Sequence, residues 1–169
     1  SAQEVGTPLS MAQEEAVEEL HNSIHEVVAQ VASNLWDTNE KGLDVAAAGF
    51  LVNEPGSSSQ IFHRDGPDSG MLDVFVPLID LQSNLGATAI KPGTHIDTNI
   101  KSDYEETIAP LLRKGECLIF DYRLLHKGQG NQSCQTTRTL AYAVYTKGGD
   151  GSNARDVRNF PSAVTLEYD

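Results

Sequence analysis

The sequence predicts a mainly β fold with supporting helices, an antiparallel barrel or jelly roll. Three observations lead there. One apolar stripe with a helical period runs through residues 17–35. The period then changes to two. From that point short β-rich runs alternate with clusters of Gly, Pro, Ser and Asn. No internal repeat is visible, and 169 residues suit one domain with a real core. The expected organisation is a single domain over 1–169: a helix at about 10–36, a β core at about 45–146 and a tail at 147–169.

The helix rests on Val17, Leu20, Ile24, Val27, Val28, Val31 and Leu35, which recur three and four residues apart. Ser10 with Gln13 fits a capping box at its start, and Lys41-Gly42 follows its end. Strands are expected at 45–53, 60–65, 71–81, 87–91, 116–121 and 138–146. Gly56-Ser57-Ser58-Ser59 reads as a mobile loop, and residues 97–113 as holding a short helix that ends near Leu112. The tail opens with Gly148-Gly149-Asp150-Gly151, a loop before a final short element.

Composition excludes several classes of function. With 12 basic and 24 acidic residues the net charge is −12, which disfavours nucleic acid and anionic membranes as partners. No apolar run approaches the roughly 18 residues of a membrane span. The first residues lack the basic and apolar regions of a signal peptide, so a cytoplasmic protein is expected. Cys117 and Cys134 are too few for a disulfide framework; the first reads as a core residue and the second as an exposed thiol. Asn131-Gln132-Ser133 matches a glycosylation sequon by chance.

His63-Arg64-Asp65 carries the chemistry, and it has two readings. A kinase catalytic loop contains these letters, but also needs an Asn shortly afterwards, a second metal-binding Asp and a strand Lys under a glycine-rich loop. Here Gly66-Pro67-Asp68-Ser69-Gly70 follows, the glycine-rich 128–133 stretch has no strand-Lys partner, and the chain is too short. The kinase reading fails. On a strand, alternate residues share a face, so His63 and Asp65 could converge on one metal ion. Two histidines and one carboxylate on one face of a metal leave positions open for a cosubstrate and O2. His95-Ile96-Asp97 repeats the spacing, but it follows the turn signal Pro92-Gly93-Thr94 and leads into polar residues. His21 and His25 lie one helical turn apart at the edge of the stripe and read as a solvated flank.

His126 is the third candidate ligand; an apolar strand runs to Asp121, and a short turn delivers His126 beside Gly128. Arg138 follows twelve residues later and opens a strand whose face continues with Leu140, Tyr142 and Val144. A guanidinium on an apolar face asks for a carboxylate partner, which a dicarboxylate ligand would supply through two parallel bonds. A surface salt bridge is the alternative for Arg138, and a structural strand-end histidine for His126.

His-x-Asp, a His sixty-one residues on and an Arg twelve after it, with residues 74–95 and 112–133, resembles the phytanoyl-CoA dioxygenase-like family of Fe(II)/2-oxoglutarate oxygenases over about residues 45–146. Asn84-Leu85-Gly86-Ala87-Thr88 to Pro92-Gly93-Thr94-His95 is the most telling part, having no generic structural reason to recur. The resemblance implies a double-stranded β-helix with His63, Asp65 and His126 on Fe(II), and Arg138 on the distal carboxylate of 2-oxoglutarate. It places Gln60 and Thr88 as polar contacts of that cosubstrate and Phe75 as an aromatic wall. The carboxylate of Asp65 favours hydroxylation over halogenation. The expected partner is a small molecule, neutral or cationic. Three other readings stand beside this one: a protein side-chain hydroxylase, a different oxidative outcome such as desaturation or ring closure, and a non-catalytic jelly-roll binding module.

Overall fold

A computed structural model describes residues 11–36, 42–96 and 106–147. One helix, α1 (Met11–Trp36), precedes six strands: β1 (Leu43–Asn53), β2 (Met71–Pro77), β3 (Thr88–Ile90), β4 (Leu118–Asp121), β5 (His126–Gly128) and β6 (Arg138–Lys147). They form a four-stranded sheet in the order β1-β6-β2-β4 and a two-stranded sheet β3-β5, antiparallel throughout.

The large sheet has two apolar faces, as the two-residue period requires. Leu72, Val74 and Val76 of β2, with Ala141, Ala143 and Tyr145 of β6, pack against Val28, Ala29 and Ala32 of α1. The alternate residues Phe75 and Leu140 join Phe120, Leu81, Ala87 and Leu124 in a second core on the opposite face. Each fully buried Val or Leu here contributes about 1.5–3 kcal/mol.

The buried face of α1 is rotated from the expected stripe. Val27 and Leu35 are exposed, whereas Ala29 and Ala32 are buried in the cluster shared with the sheet. His21 and His25 turn inward with them, correcting the solvated flank. The His21 ring stacks on Tyr145 at 6.0 Å, and its Nδ1 lies 3.3 Å from the Tyr145 hydroxyl. Burial, then the charge of His25, lowers the His21 pKa, and burial raises that of Tyr145. Ser10 and Lys41, read as bounding the helix, lie outside the described residues.

Other expectations change too. Residues 60–65 form no strand; their contacts with β5 slip register, so only His63 makes a bridge. Residues 106–113 form no helix, and Ile108 is bridged to Ile90; 97–105 lie outside the described residues. The 71–81 run stops at Pro77, and the three-residue β5 was not foreseen because His-Lys-Gly has no strand propensity. Cys117 is partly buried and Cys134 exposed, as expected.

The serine loop is tied down rather than loose. Gly56 N–H donates to the Asn131 carbonyl at 2.7 Å, and Ser59 Oγ accepts from Gly130 N–H at 2.8 Å. Asn131 itself is fully buried. Its Nδ2 donates to the carbonyls of Asn53 and Thr136 at 2.9 and 2.7 Å, while its Oδ1 accepts from Ser133 N–H at 3.0 Å. That amide is committed to the fold, so the sequon is no acceptor site.

Asn131→Ala removes the partner of two part-buried carbonyls and one N–H, and unmet buried groups of this kind cost about 1–3 kcal/mol each. We expect a loss of about 3 kcal/mol in urea unfolding. Asn131→Asp should not restore it, since a carboxylate cannot donate; full stability in the Asp variant would contradict this account of the loop.

Candidate functional site

The site forms where residues 60–65 lie against β5. His63 and His126 exchange backbone hydrogen bonds, N–H to carbonyl at 2.9 Å in both directions. Gln60 N–H donates to the Gly128 carbonyl at 2.9 Å, and Asp65 N–H to the Tyr122 carbonyl at 3.2 Å. The three partners fall at 128, 126 and 122, so the register slips between them. The segment therefore follows β5 without making a regular ladder. The convergence expected of His63 and Asp65 is present, but it comes from this irregular pairing and not from strand parity.

Asp65 Oδ1 lies 3.5 Å from His63 Nε2 and 3.7 Å from His126 Nε2. Among the described residues, these three are the one group able to offer a metal three ligand atoms, all within 4.8 Å of each other. Each histidine is oriented in the same way: His63 Nδ1 is 2.9 Å from the Ile61 carbonyl, and His126 Nδ1 is 3.0 Å from the Leu124 carbonyl. An Nδ1–H donated to a carbonyl leaves the Nε2 lone pair facing the ion. Burial is the main cause lowering the His126 pKa, which keeps that imidazole neutral as ligation requires. The donor set suits Fe(II) or a similar first-row ion. His95 stands apart, in the turn after β3, and Asp97 lies outside the described residues.

The cavity beside this cluster holds about 220 Å³ and is lined by His63, Asp65, His126, Arg138, Gln60, Thr88 and Phe75, every site residue expected from sequence. The Phe75 and Phe120 rings stand 6.2 and 4.8 Å from that of His126. Arg138 is 2% exposed. Its Nη1 donates to the Gly86 carbonyl and its Nη2 to Asn53 Oδ1 at 2.5 Å, so two neutral acceptors aim the guanidinium. Gln60 Oε1 accepts from Gly128 N–H at 2.6 Å, and a Cβ at position 128 would meet that oxygen at 2.9 Å. Glycine is what lets the amide approach.

Two residues of the site were not anticipated. Asn53 ends β1 directly opposite Arg138. Its sequence signal, one polar residue closing an apolar run, is weak. Asp73 carried a stronger signal, a charge inside the apolar run Met71–Pro77. It is 1% exposed, lines the cavity beside the Asp65 carboxyl, and receives no hydrogen bond from a described N–H. Burial, then the neighbouring Asp65, pushes its pKa up to about 8.

Residues 11–140 match the model of the phytanoyl-CoA dioxygenase (PhyH) family. The chain belongs to that family. Among curated proteins, this PhyH chain is 31% identical to dioxygenase FUM3 of Gibberella moniliformis over 104 residues, 53% of this chain and 34% of that protein. It is 25% identical to dioxygenase aneA of Aspergillus aculeatus over 130 residues, 68% of this chain and 44% of that protein. The PhyH chain thus spans between a third and a half of these curated relatives. Among solved structures it matches EvdO2 of Micromonospora carbonacea var. aurantiaca, with a TM-score of 0.66, 18% identity, and coverage of 87% of this chain and 70% of that one. It also matches SnoN, a non-haem α-ketoglutarate-dependent epimerase from nogalamycin biosynthesis (TM-score 0.65, 19% identity, 99% and 78% coverage). These likenesses show the fold, a jelly roll. PhyH proteins use Fe(II), 2-oxoglutarate and O2.

Gly86 and Gly93 give a controlled test of what holds the cavity together. Both have positive φ, 75° and 82°. A Cβ at Gly86 would overlap the carbonyl oxygens of Gln129 and Gly130, whereas at Gly93 nothing lies within 4 Å. Gly93→Ala should cost only the backbone term, roughly 1–2 kcal/mol. Gly86→Ala should cost at least about 4 kcal/mol or yield insoluble protein, since it also forces apart the loop that holds Arg138. Equal melting temperatures for the two variants would contradict this.

Proposed function

We propose that this chain carries a Fe(II)- and 2-oxoglutarate-dependent dioxygenase activity that hydroxylates, or otherwise oxidises, an unactivated C–H bond of a small molecule. The observation that supports it most is the convergence of His63, Asp65 and His126 in the same cavity as the buried guanidinium of Arg138. A binding module alone has no need of both.

Bound Fe(II) with 2-oxoglutarate supplies O2 activation, the cosubstrate being split to succinate and CO2 as the C–H bond is oxidised. The chain's residues provide the rest. His63 and His126, oriented through Nδ1 by backbone carbonyls, and Asp65 through its carboxylate would hold the metal. Arg138 takes the distal carboxylate of 2-oxoglutarate through its planar fork, steadied by Gly86 and Asn53. Gln60 and Thr88 contribute polar contacts to the cosubstrate, and Phe75 forms the aromatic wall that excludes water. Excluding water strengthens the Arg138–carboxylate attraction and protects the oxidant from side reactions.

The substrate we propose is neutral or cationic. The net charge of −12 supports this, and so does the placement of the cations nearest the site. Arg123 is bonded to Asp121 at 2.8 Å, Arg64 donates to the Thr94 carbonyl at 3.0 Å, and Lys91 and Lys127 both lie over the Phe62 ring. None of the four lines the cavity.

Anaerobic titration tests the metal assignment. Ala at His63, Asp65 or His126 should weaken Fe(II) binding well beyond the roughly tenfold effect of an outer contact, while His95→Ala stays within a few-fold of wild type. Dependence on His95 with His63 dispensable would overturn the ligand set. Arg138→Ala should leave Fe(II) binding intact but weaken 2-oxoglutarate by two to three orders of magnitude, about 3–5 kcal/mol, read from the visible charge-transfer band of the chelate. Lys should restore only part of that. Acyl-CoA esters should not stimulate 2-oxoglutarate consumption; salt-sensitive turnover of such an ester would refute the proposed substrate charge.

A further inference from the structure

Asp73 is not one of the three candidate metal ligands, yet it occupies the wall of the cavity beside one of them, Asp65. On the inward face of the large sheet its cross-strand neighbours are Val144 on β6 and Phe120 on β4. An apolar residue would satisfy that position. Instead the fold buries a carboxyl group to 1% exposure, against the carboxyl of Asp65 and with no described N–H donating to either oxygen. Such a group is destabilising, and residues of this kind persist at sites of function.

Its place along the cavity indicates what it serves. Arg138 and Val144 are six residues apart on β6, so Asp73, beside Val144, lies on the order of 20 Å from the guanidinium end of the sheet. His63, Asp65 and His126 line the same cavity, with Asp65 against Asp73. The end opposite the cosubstrate anchor is left for the substrate, an assignment that rests on the oxygenase reading above. The polar groups nearest Asp73 are acidic, Asp65 and Asp121, with Tyr122 alongside; the one cation among them, Arg123, is bonded to Asp121.

We propose that Asp73 is a specificity-determining residue that accepts a hydrogen bond from an N–H or O–H donor on the substrate, a protonated amine or a hydroxyl. A substrate carboxylate or phosphate at that place would meet two carboxyl groups and be rejected.

The test uses three probes of one shape, cyclohexylamine, cyclohexanol and cyclohexanecarboxylate. Each is titrated into the Mn(II)- and 2-oxoglutarate-loaded protein, and Mn(II)-induced relaxation of the probe protons reports nearness to the metal. Binding is read in parallel by saturation transfer on the metal-free protein. The amine and the alcohol should bind at least tenfold tighter than the carboxylate. Asp73→Asn should keep the alcohol and lose the preference for the amine if the natural donor is cationic, and keep both if it is a hydroxyl. Asp73→Leu should erase the ranking while binding Mn(II) and 2-oxoglutarate normally, with a melting temperature no lower than wild type. Equal binding of the three probes, binding of none, or an unchanged ranking in Asp73→Leu overturns the proposal. So does loss of Mn(II) from Asp73→Leu with the ranking intact in Asp73→Asn, which would make Asp73 a support for Asp65. If the wild type binds no metal, the oxygenase reading fails, while the ranking on metal-free protein still decides the role of Asp73.

Discussion

Two backbone hydrogen bonds hold this site together. The amides of His63 and His126 pair across a single antiparallel bridge, and that bridge brings two chain segments more than sixty residues apart to one point. Regular pairing would have continued the ladder on both sides. Instead the register slips, so Asp65 bends toward the two Nε2 atoms, and a three-atom cluster forms that a flat strand pair would have spread apart. The carbonyls of Ile61 and Leu124, each two residues before its histidine, complete the arrangement by turning both rings the same way.

Around that point the large sheet works as a partition. One face meets α1 through alanines and branched aliphatic residues, and the other meets the cavity. Because alternate residues go to alternate faces, β6 can present Tyr145 to the helix while Arg138, Leu140 and Tyr142 face the cavity. A guanidinium buried on such a face needs support at every stage. Gly86 and Asn53 provide neutral acceptors that orient the guanidinium toward the cavity.

The buried polar groups divide into two kinds. Asn131 is fully satisfied and locks the loops behind Arg138; it is there for architecture. Asp73 receives no hydrogen bond from a described N–H and sits in the cavity wall against another carboxyl, Asp65, where it costs stability. Both are almost fully buried, so burial alone does not separate structure from function; hydrogen-bond satisfaction does.

Sequence by itself determined the β-rich class and the leading helix, and it pointed to His63, Asp65, His126 and Arg138, which line one cavity. Each left a local trace: a change of period, a turn after a strand, a charge opening an apolar face. It also placed Gln60, Thr88 and Phe75, which the resemblance named and which line the cavity. Tertiary structure alone decided the rest. Residues 60–65 have strand composition but pair out of register, and β5 has no strand composition yet pairs with β3. The buried face of α1 turned toward His21 and His25, because the docking surface sets a helix's rotation and Tyr145 was waiting there. Asn53 and Asp73 joined the site for the same reason: strand register, fixed by contacts distant in sequence, chooses which polar residue faces the cavity.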